Sequence, residues 1–252
     1  MSLWYTVTGW LCAMLLTIGL SLWGIVVCLP FSLICQKGSR ASVHGISLLW
    51  ADLLLFFNPA WRIRLEGNQL LDHDGPFVII ANHQSLLDIL IVCAGLKRHF
   101  KFLAKKELFP IPFMGWHMFA AGYIPLRRGD RESARAALEE ARQWLRRGVS
   151  VLFFPEGTRS LDGEIHDFKP GAFKLAREEG VDVLPLVIDR TGTALPKHSI
   201  MIRRKTDFWL SIGKPVSVVD GKDRLDAIRL SVRAEMADRL HNIRSREETP
   251  TP

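Results

Sequence analysis

Hydrophobic positions fall along this chain in two regimes. From Leu3 to Cys35 they are almost continuous, a run longer than the roughly 20 apolar residues that a helix needs to cross a bilayer. A polar break, Lys37-Gly38-Ser39-Arg40, separates it from a second apolar stretch, about Val43 to Trp61, which Asp52 interrupts and Asn58-Pro59 closes. Beyond Trp61 short apolar runs alternate with amphipathic stretches, the pattern of an α/β domain. Trp61 to Glu66 predicts an edge strand. Phe77-Val78-Ile79-Ile80-Ala81, after the turn residues Asp74-Gly75-Pro76, predicts a central one. Val149 to Phe154, Val181 to Asp189, Ser199 to Arg203 and Asp207 to Ile212 predict four more.

Leu86 to Gly95 is apolar enough for a buried helix. Asp130 to Arg147 predicts an amphipathic one, with Ala134, Ala137, Leu138, Ala141, Trp144 and Leu145 on one face and Gly148 as its stop. Phe168 to Glu179 predicts another, and Leu225, Ile228, Val232, Met236, Leu240 and Ile243 mark a last one. The predicted architecture is α/β, a mixed central sheet flanked by helices and preceded by a membrane-embedded helix pair. Residues 1–60 form the anchoring helices, 61–244 the α/β domain, and 245–252 a flexible tail.

Charge sharpens the division. No charged residue occurs before Lys37, so the whole formal net charge of +7 lies beyond the first apolar run. A basic domain behind an uncharged segment suits an anionic bilayer surface. Nucleic acid is the competing partner for a basic chain, but no helix-turn-helix, zinc-finger or aromatic-basic pattern supports it. The first run has no basic leader and no small-residue cleavage site, so it reads as a retained anchor. Asp52 makes a lipid-exposed span of the second stretch unfavourable, and an interfacial or protein-facing helix fits better. Two helices dipping into one leaflet is the preferred arrangement, with a single span and a cytoplasmic domain as the alternative. Cys12, Cys28, Cys35 and Cys93 make no Cys-x-x-Cys pair and read as buried thiols of a reducing compartment.

Two blocks carry candidate chemistry. Asn82-His83-Gln84-Ser85-Leu86-Leu87-Asp88 follows the Phe77–Ala81 strand and leads into a helix, the place where open α/β sheets hold their active sites. Residues five apart on a regular helix diverge by roughly 140°. His83 and Asp88 therefore meet only if His83 lies in the turn and Asp88 in the first helical turn. A carboxylate on one imidazole nitrogen leaves the other as a general base. The alternative is a loop histidine beside an aspartate placed for the helix dipole. No third ligand stands at metal spacing. The second block, Pro155-Glu156-Gly157-Thr158-Arg159-Ser160, follows the Val149–Phe154 strand. Arg159 offers a planar fork for phosphate, Glu156 can orient it, and Gly157 permits close backbone approach. A surface turn with an incidental ion pair is the alternative.

Together the blocks resemble the glycerophospholipid acyltransferase family, and within it the 1-acylglycerol-3-phosphate (lysophosphatidate) acyltransferases. That family carries His-x4-Asp after one strand and Phe-Pro-Glu-Gly-Thr-Arg-Ser after another, as at 83–88 and 154–160 here. Lys105-Lys106-Glu107-Leu108-Phe109, Gly122 to Arg128, Val183 to Val187 and Gly213 to Val216 extend the similarity. A departure is Pro125-Leu126, where the family has an aromatic and an isoleucine. It is followed by two arginines, of which register favours Arg128 over Arg127 as the phosphate contact.

The resemblance implies direct transfer of an acyl group from a thioester, on coenzyme A or acyl carrier protein, to the free hydroxyl of lysophosphatidic acid, giving phosphatidic acid at a membrane. His83 would be the base and Asp88 its orienter. Lys105, Arg128, Glu156, Gly157, Thr158 and Arg159 would bind the acceptor. No resident cofactor or metal is implied, and the site would lie on the cytoplasmic face. The absence of Gly-x-Ser-x-Gly weakens a serine-nucleophile mechanism. Acylation of a different lyso-lipid, or lipid binding without catalysis, are the alternative functions.

Overall fold

The computed structural model describes residues 3–24, 26, 39–71, 75–203, 205–218 and 225–248. Cys28 and Cys35 lie outside the described residues. Seven strands form one mixed sheet in the order β1-β7-β6-β2-β5-β3-β4. These are β1 (Trp61–Glu66), β2 (Val78–Ala81), β3 (Phe100–Lys105), β4 (Ile124–Leu126), β5 (Ser150–Phe153), β6 (Val183–Asp189) and β7 (Thr206–Ile212). Only β6 and β7 pair antiparallel; β6, β2, β5, β3 and β4 run parallel, so their carboxyl ends share one edge. β1 is an edge strand and β2 the middle of the seven, as their patterns predict.

The parallel strands are apolar on both faces because both are covered. Ile79, Leu152, Leu184 and Leu186 pack toward α2 (Ser39–Phe56) and α3 (Leu87–Leu96). Val78, Val151, Phe153 and Val187 pack toward α5 (Arg131–Arg146), α6 (Gly171–Glu179) and α8 (Leu225–Glu248). Asp130 caps α5 by accepting from Glu132 N at 3.0 Å and Ser133 N at 3.1 Å. Arg142 and Arg146 of α5 then bridge to Glu179 of α6, each at 2.7 Å.

Three elements depart from the pattern. Ser199–Arg203 is not a strand, because its backbone is satisfied elsewhere. Met201 N donates to Ser199 Oγ, Ile202 N to Thr6 Oγ1 and Arg203 N to the Ala194 carbonyl. α6 begins at Gly171 rather than Phe168, because Pro170 disfavours helix at the preceding residue. α8 continues to Glu248, past the expected end at Ser245, and residues 249–252 lie outside the described residues.

α1 (Leu3–Trp23) is the one described helix long and apolar enough to cross a membrane; the apolar part of α2, Val43–Phe56, is shorter. The two are tied by a hydrogen bond from Trp50 Nε1 to Thr17 Oγ1 at 3.1 Å. α1 also rests on the domain: Tyr5 OH donates to Asn58 Oδ1 at 3.0 Å and Trp10 Nε1 to the Ile200 carbonyl at 2.7 Å. Asp52 is paired with Lys97 rather than facing an apolar surface. A buried polar chain joins α2 to the short helix α4 (Met114–Ala120). Ser47 Oγ lies 2.6 Å from Tyr123 OH and 2.8 Å from His117 Nε2, and His44 Nδ1 lies 3.0 Å from the same tyrosine. Burial, then Lys101, lowers His117 to about 4, so that imidazole is neutral at neutral pH. Burial likewise pushes the Cys93 thiol up to about 12.

Candidate active site

The site forms where β2 stops. The side chain of Asn82 continues the ladder in place of backbone: its Nδ2 donates to the Ile188 carbonyl and its Oδ1 accepts from Ile188 N, both at 2.8 Å. The main chain is thereby released to turn at His83 and enter α3. Asp88 falls in the first turn of that helix, as the spacing requires. His83 Nδ1 and Asp88 Oδ2 are 2.6 Å apart. The same Oδ2 accepts from Gln84 N at 2.7 Å and Ser85 N at 3.0 Å. An oxygen that already accepts two amide protons serves the imidazole as an acceptor too, so Nδ1 carries the proton and Nε2 keeps its lone pair. Among the described residues Nε2 has no hydrogen-bond partner, yet it is not one of the sealed, unpartnered atoms, which are His99 Nε2 and His117 Nδ1. Phe154 stacks on the imidazole with ring centroids 4.1 Å apart, fixing its plane. Asp88 is fully buried, and Thr191 Oγ1 donates to its other oxygen.

The second block lies against the first. β5 ends at Phe153, and the turn that follows has Gly157 at φ +75°, a conformation that a Cβ strains. Gly157 N donates to the Phe154 carbonyl at 3.0 Å, so it is not a free donor for an oxyanion. Ser160 N donates to the His83 carbonyl at 2.7 Å, joining the two turns. Glu156 departs from its expected role. Its carboxylate accepts from His83 N at 3.0 Å and His166 N at 3.3 Å, and so braces the histidine turn instead of orienting Arg159. Burial raises its pKa, against the lowering effect of those two amides.

Arg159 is partly exposed, and among the described residues it has no ion pair. Arg128, two residues past β4, stands close enough to feel it. Its pKa is lowered by desolvation first and by the Arg159 charge second, with Glu107 opposing. Arg128 thus stands in the field of Arg159. Lys105, at the end of β3, is exposed and 3.9 Å from Glu107. Thr158 is exposed and its hydroxyl lies 3.3 Å from Lys197 Nζ. All of these groups stand at the carboxyl ends of the parallel strands. A cavity of about 500 Å³, lined among others by Gln84, Ser160, Asp189, Thr193 and Lys197, lies on the side of the two turns toward β6, and none of His83, Asp88, Lys105, Arg128 or Arg159 lines it.

A polar pair with one unprotonated nitrogen, beside two cations that repel one another, can take a proton from a hydroxyl and hold an anion. Sequence reasoning missed Thr191, Lys197 and the stacking role of Phe154. Phe154 lay in view inside the second block. Thr191 is 103 residues from Asp88 and Lys197 is 38 from Arg159, and no local spacing announces such partners.

Comparison with known proteins shows the family. The model of the acyltransferase family matches residues 62–189. The chloroplastic 1-acyl-sn-glycerol-3-phosphate acyltransferase of Arabidopsis thaliana is 39% identical over 188 residues, covering 74% of this chain and 52% of the relative. A 1-acyl-sn-glycerol-3-phosphate acyltransferase of Chlamydomonas reinhardtii is 36% identical over 218 residues, covering 86% and 65%. The matched region thus spans about half to two thirds of the length of these relatives. The crystal structure of the 1-acyl-sn-glycerophosphate acyltransferase PlsC from Thermotoga maritima superposes with a TM-score of 0.72 at 26% identity, covering 94% of this chain and 98% of that one. This chain belongs to the acyltransferase family.

Proposed function

We propose that the protein transfers an acyl group from a thioester to the free hydroxyl of 1-acyl-sn-glycerol-3-phosphate, forming phosphatidic acid for phospholipid synthesis. The observation that carries this reading is the His83–Asp88 pair at the same sheet edge as Arg128 and as Arg159, which has no ion pair among the described residues, a base and an anion site together. His83 Nε2 takes the hydroxyl proton as the oxygen attacks the thioester carbonyl. Asp88 stabilises the imidazolium that results. The tetrahedral adduct collapses with loss of the thiolate, which recovers the proton from His83, so the products are phosphatidic acid and a free thiol. Arg128 and Arg159 hold the acceptor phosphate with Lys105 nearby, and Gly157 and Thr158 shape the loop that presents Arg159. Glu156 acts by fixing the backbone of His83.

The acceptor is a lipid, and the N-terminal helices suit one. α1 exposes Leu3, Trp4, Val7, Leu11, Met14 and Leu15 along an outward face. Its polar contacts with Asn58, Ile200 and Ile202 hold it beside the domain, an arrangement that supports α1 and α2 lying together in one leaflet. The basic domain then sits on the cytoplasmic surface. Coenzyme A or acyl carrier protein bears the acyl group.

The test is a panel of lyso-lipids offered to purified protein with both thioester carriers. Phosphatidic acid should form fastest. Faster acylation of a lyso-lipid without a terminal phosphate would reassign the acceptor, and no acylation of any would leave a lipid-binding role.

A further inference from the structure

The stretch Asp189–Lys197 leaves β6, forms the one-turn helix α7 (Thr191–Ala194) and touches both halves of the site. Thr191 is fully buried, and its hydroxyl donates to Asp88 Oδ1. Gln84 Nε2 donates to Asp189 Oδ1 at 3.2 Å, and Ser85 Oγ to the Leu195 carbonyl at 2.8 Å. Further on, Lys197 Nζ donates to the Arg159 carbonyl at 2.9 Å and lies 3.3 Å from Thr158 Oγ1. Arg244 of α8 braces the start of the stretch, reaching Asp189 Oδ1 at 3.0 Å and the Gly163 carbonyl at 2.9 Å. Arg190 between them holds φ 70°, a left-handed conformation costly for a residue with a side chain.

We propose that Asp189–Lys197 is a two-ended buttress, in which Thr191 is a positioning residue for the His83–Asp88 pair and Lys197 a positioning residue for the Arg159 loop. The proposal rests on the acyl-transfer reading above. Asp88 has one oxygen that accepts from three donors, all from its own turn, and these leave its other oxygen without a local partner. Thr191 supplies the contact on the other oxygen from α7, 103 residues away in sequence, and that contact sets the angle at which Asp88 meets Nδ1. Lys197 acts through the backbone it holds: with the Arg159 carbonyl fixed, the guanidinium starts from a defined place. A threonine on a carboxylate alters the chemical step, whereas a lysine on a loop carbonyl alters acceptor binding, so the two ends separate in kinetics.

The experiment uses the full-length protein in detergent and two measurements. The first is the downfield proton resonance of His83 Nδ1–H, assigned by its loss in His83→Ala. Thr191→Val should shift or broaden it, and Thr191→Ser and Lys197→Met should leave it in place. The second is steady-state kinetics with 1-acylglycerol-3-phosphate and an acyl thioester. Thr191→Val should lose roughly 10- to 100-fold in kcat, the effect of one hydrogen bond to a charged group, with acceptor KM nearly unchanged. Thr191→Ser should recover most of it. Lys197→Met should raise acceptor KM roughly 3- to 10-fold, with kcat and donor KM nearly unchanged.

If Thr191→Val does not fold, Thr191→Ala removes the same donor without adding bulk. A wild-type resonance and kcat in the variant lacking the hydroxyl would overturn the Thr191 assignment, as would Thr191→Ser behaving like valine. An unchanged acceptor KM in Lys197→Met would overturn the other end. A wild-type protein that forms no phosphatidic acid would refute the proposed function instead, and the proton resonance would still decide the role of Thr191.

Discussion

Replacing Asp88 separates two jobs that the structure gives to one carboxylate. Its Oδ2 accepts from Gln84 N, Ser85 N and His83 Nδ1, while Oδ1 accepts from Thr191. In Asp88→Asn the amide oxygen can occupy the Oδ2 position, keeping the three donors, and the amide nitrogen can donate to the threonine hydroxyl. The turn and the imidazole tautomer survive, and the charge does not. A carboxylate and an imidazolium with charge centres about 4 Å apart attract by about 4 kcal/mol at an effective dielectric near 20. That energy is present only once His83 is protonated, so about three decades of kcat should be lost. In Asp88→Ala two buried amides lose their acceptor, at about 1–3 kcal/mol each, together a large part of the stability of a typical domain. Urea unfolding and initial rates measure the two effects separately. Asparagine should fold nearly as well as wild type and turn over about a thousandfold more slowly, while alanine should be destabilised by several kcal/mol on this arithmetic. Alanine as stable as wild type, or asparagine within tenfold of its rate, would refute the reasoning.

Three more outcomes follow from the same geometry. Arg159→Ala should raise KM for a phosphate-bearing acceptor far more than for a phosphate-free one, and Arg159→Lys should recover only part, since a point charge lacks the fork. Arg128→Ala should act similarly and Arg127→Ala less; a larger defect at Arg127 would put the phosphate contact one residue earlier than register places it. Burial raises the Glu156 pKa, so as pH falls the folded protein takes up this proton before the unfolded chain does. Its contribution therefore favours folding below the ordinary carboxylate range and is lost as pH rises through the raised value. Glu156→Gln should flatten that part of the stability curve in urea unfolding at a series of pH values, and an unchanged slope would contradict it. High salt should leave the protein on membranes and detergent should release it, because α1 exposes apolar rather than charged surface; release by salt alone would point to attachment through the basic face.

Most of the sheet was legible because its strands are short apolar runs between turn residues. β3 was not, since Lys101 breaks the run of Phe100 and Phe102. The structure buries that lysine completely, with its ammonium on the Ala121 carbonyl and 4.8 Å from the Trp144 ring centroid. β4 is three residues long with a proline at its centre, too little for a periodicity to show. Ser199–Arg203 has a strand-like apolar pattern for a different reason: Ile202 is buried in the core that also packs α1. The pairing of His83 with Asp88 was readable because both lie within one turn, where geometry leaves a single way for them to meet. Glu156 was misread because charge complementarity suggested the nearby arginine, whereas the fold offered two backbone amides closer to hand.

In the proposed reaction His83 is the base for acyl transfer to lysophosphatidic acid. The most direct measurement is the rate at which labelled acyl thioester and 1-acylglycerol-3-phosphate yield phosphatidic acid, in wild type and in His83→Ala matched for folded protein. Wild type should form it readily, and the variant should lose about 10²- to 10⁴-fold. His83→Ala retaining more than about a tenth of the wild-type rate would contradict that role, because a general base contributes at least about a hundredfold.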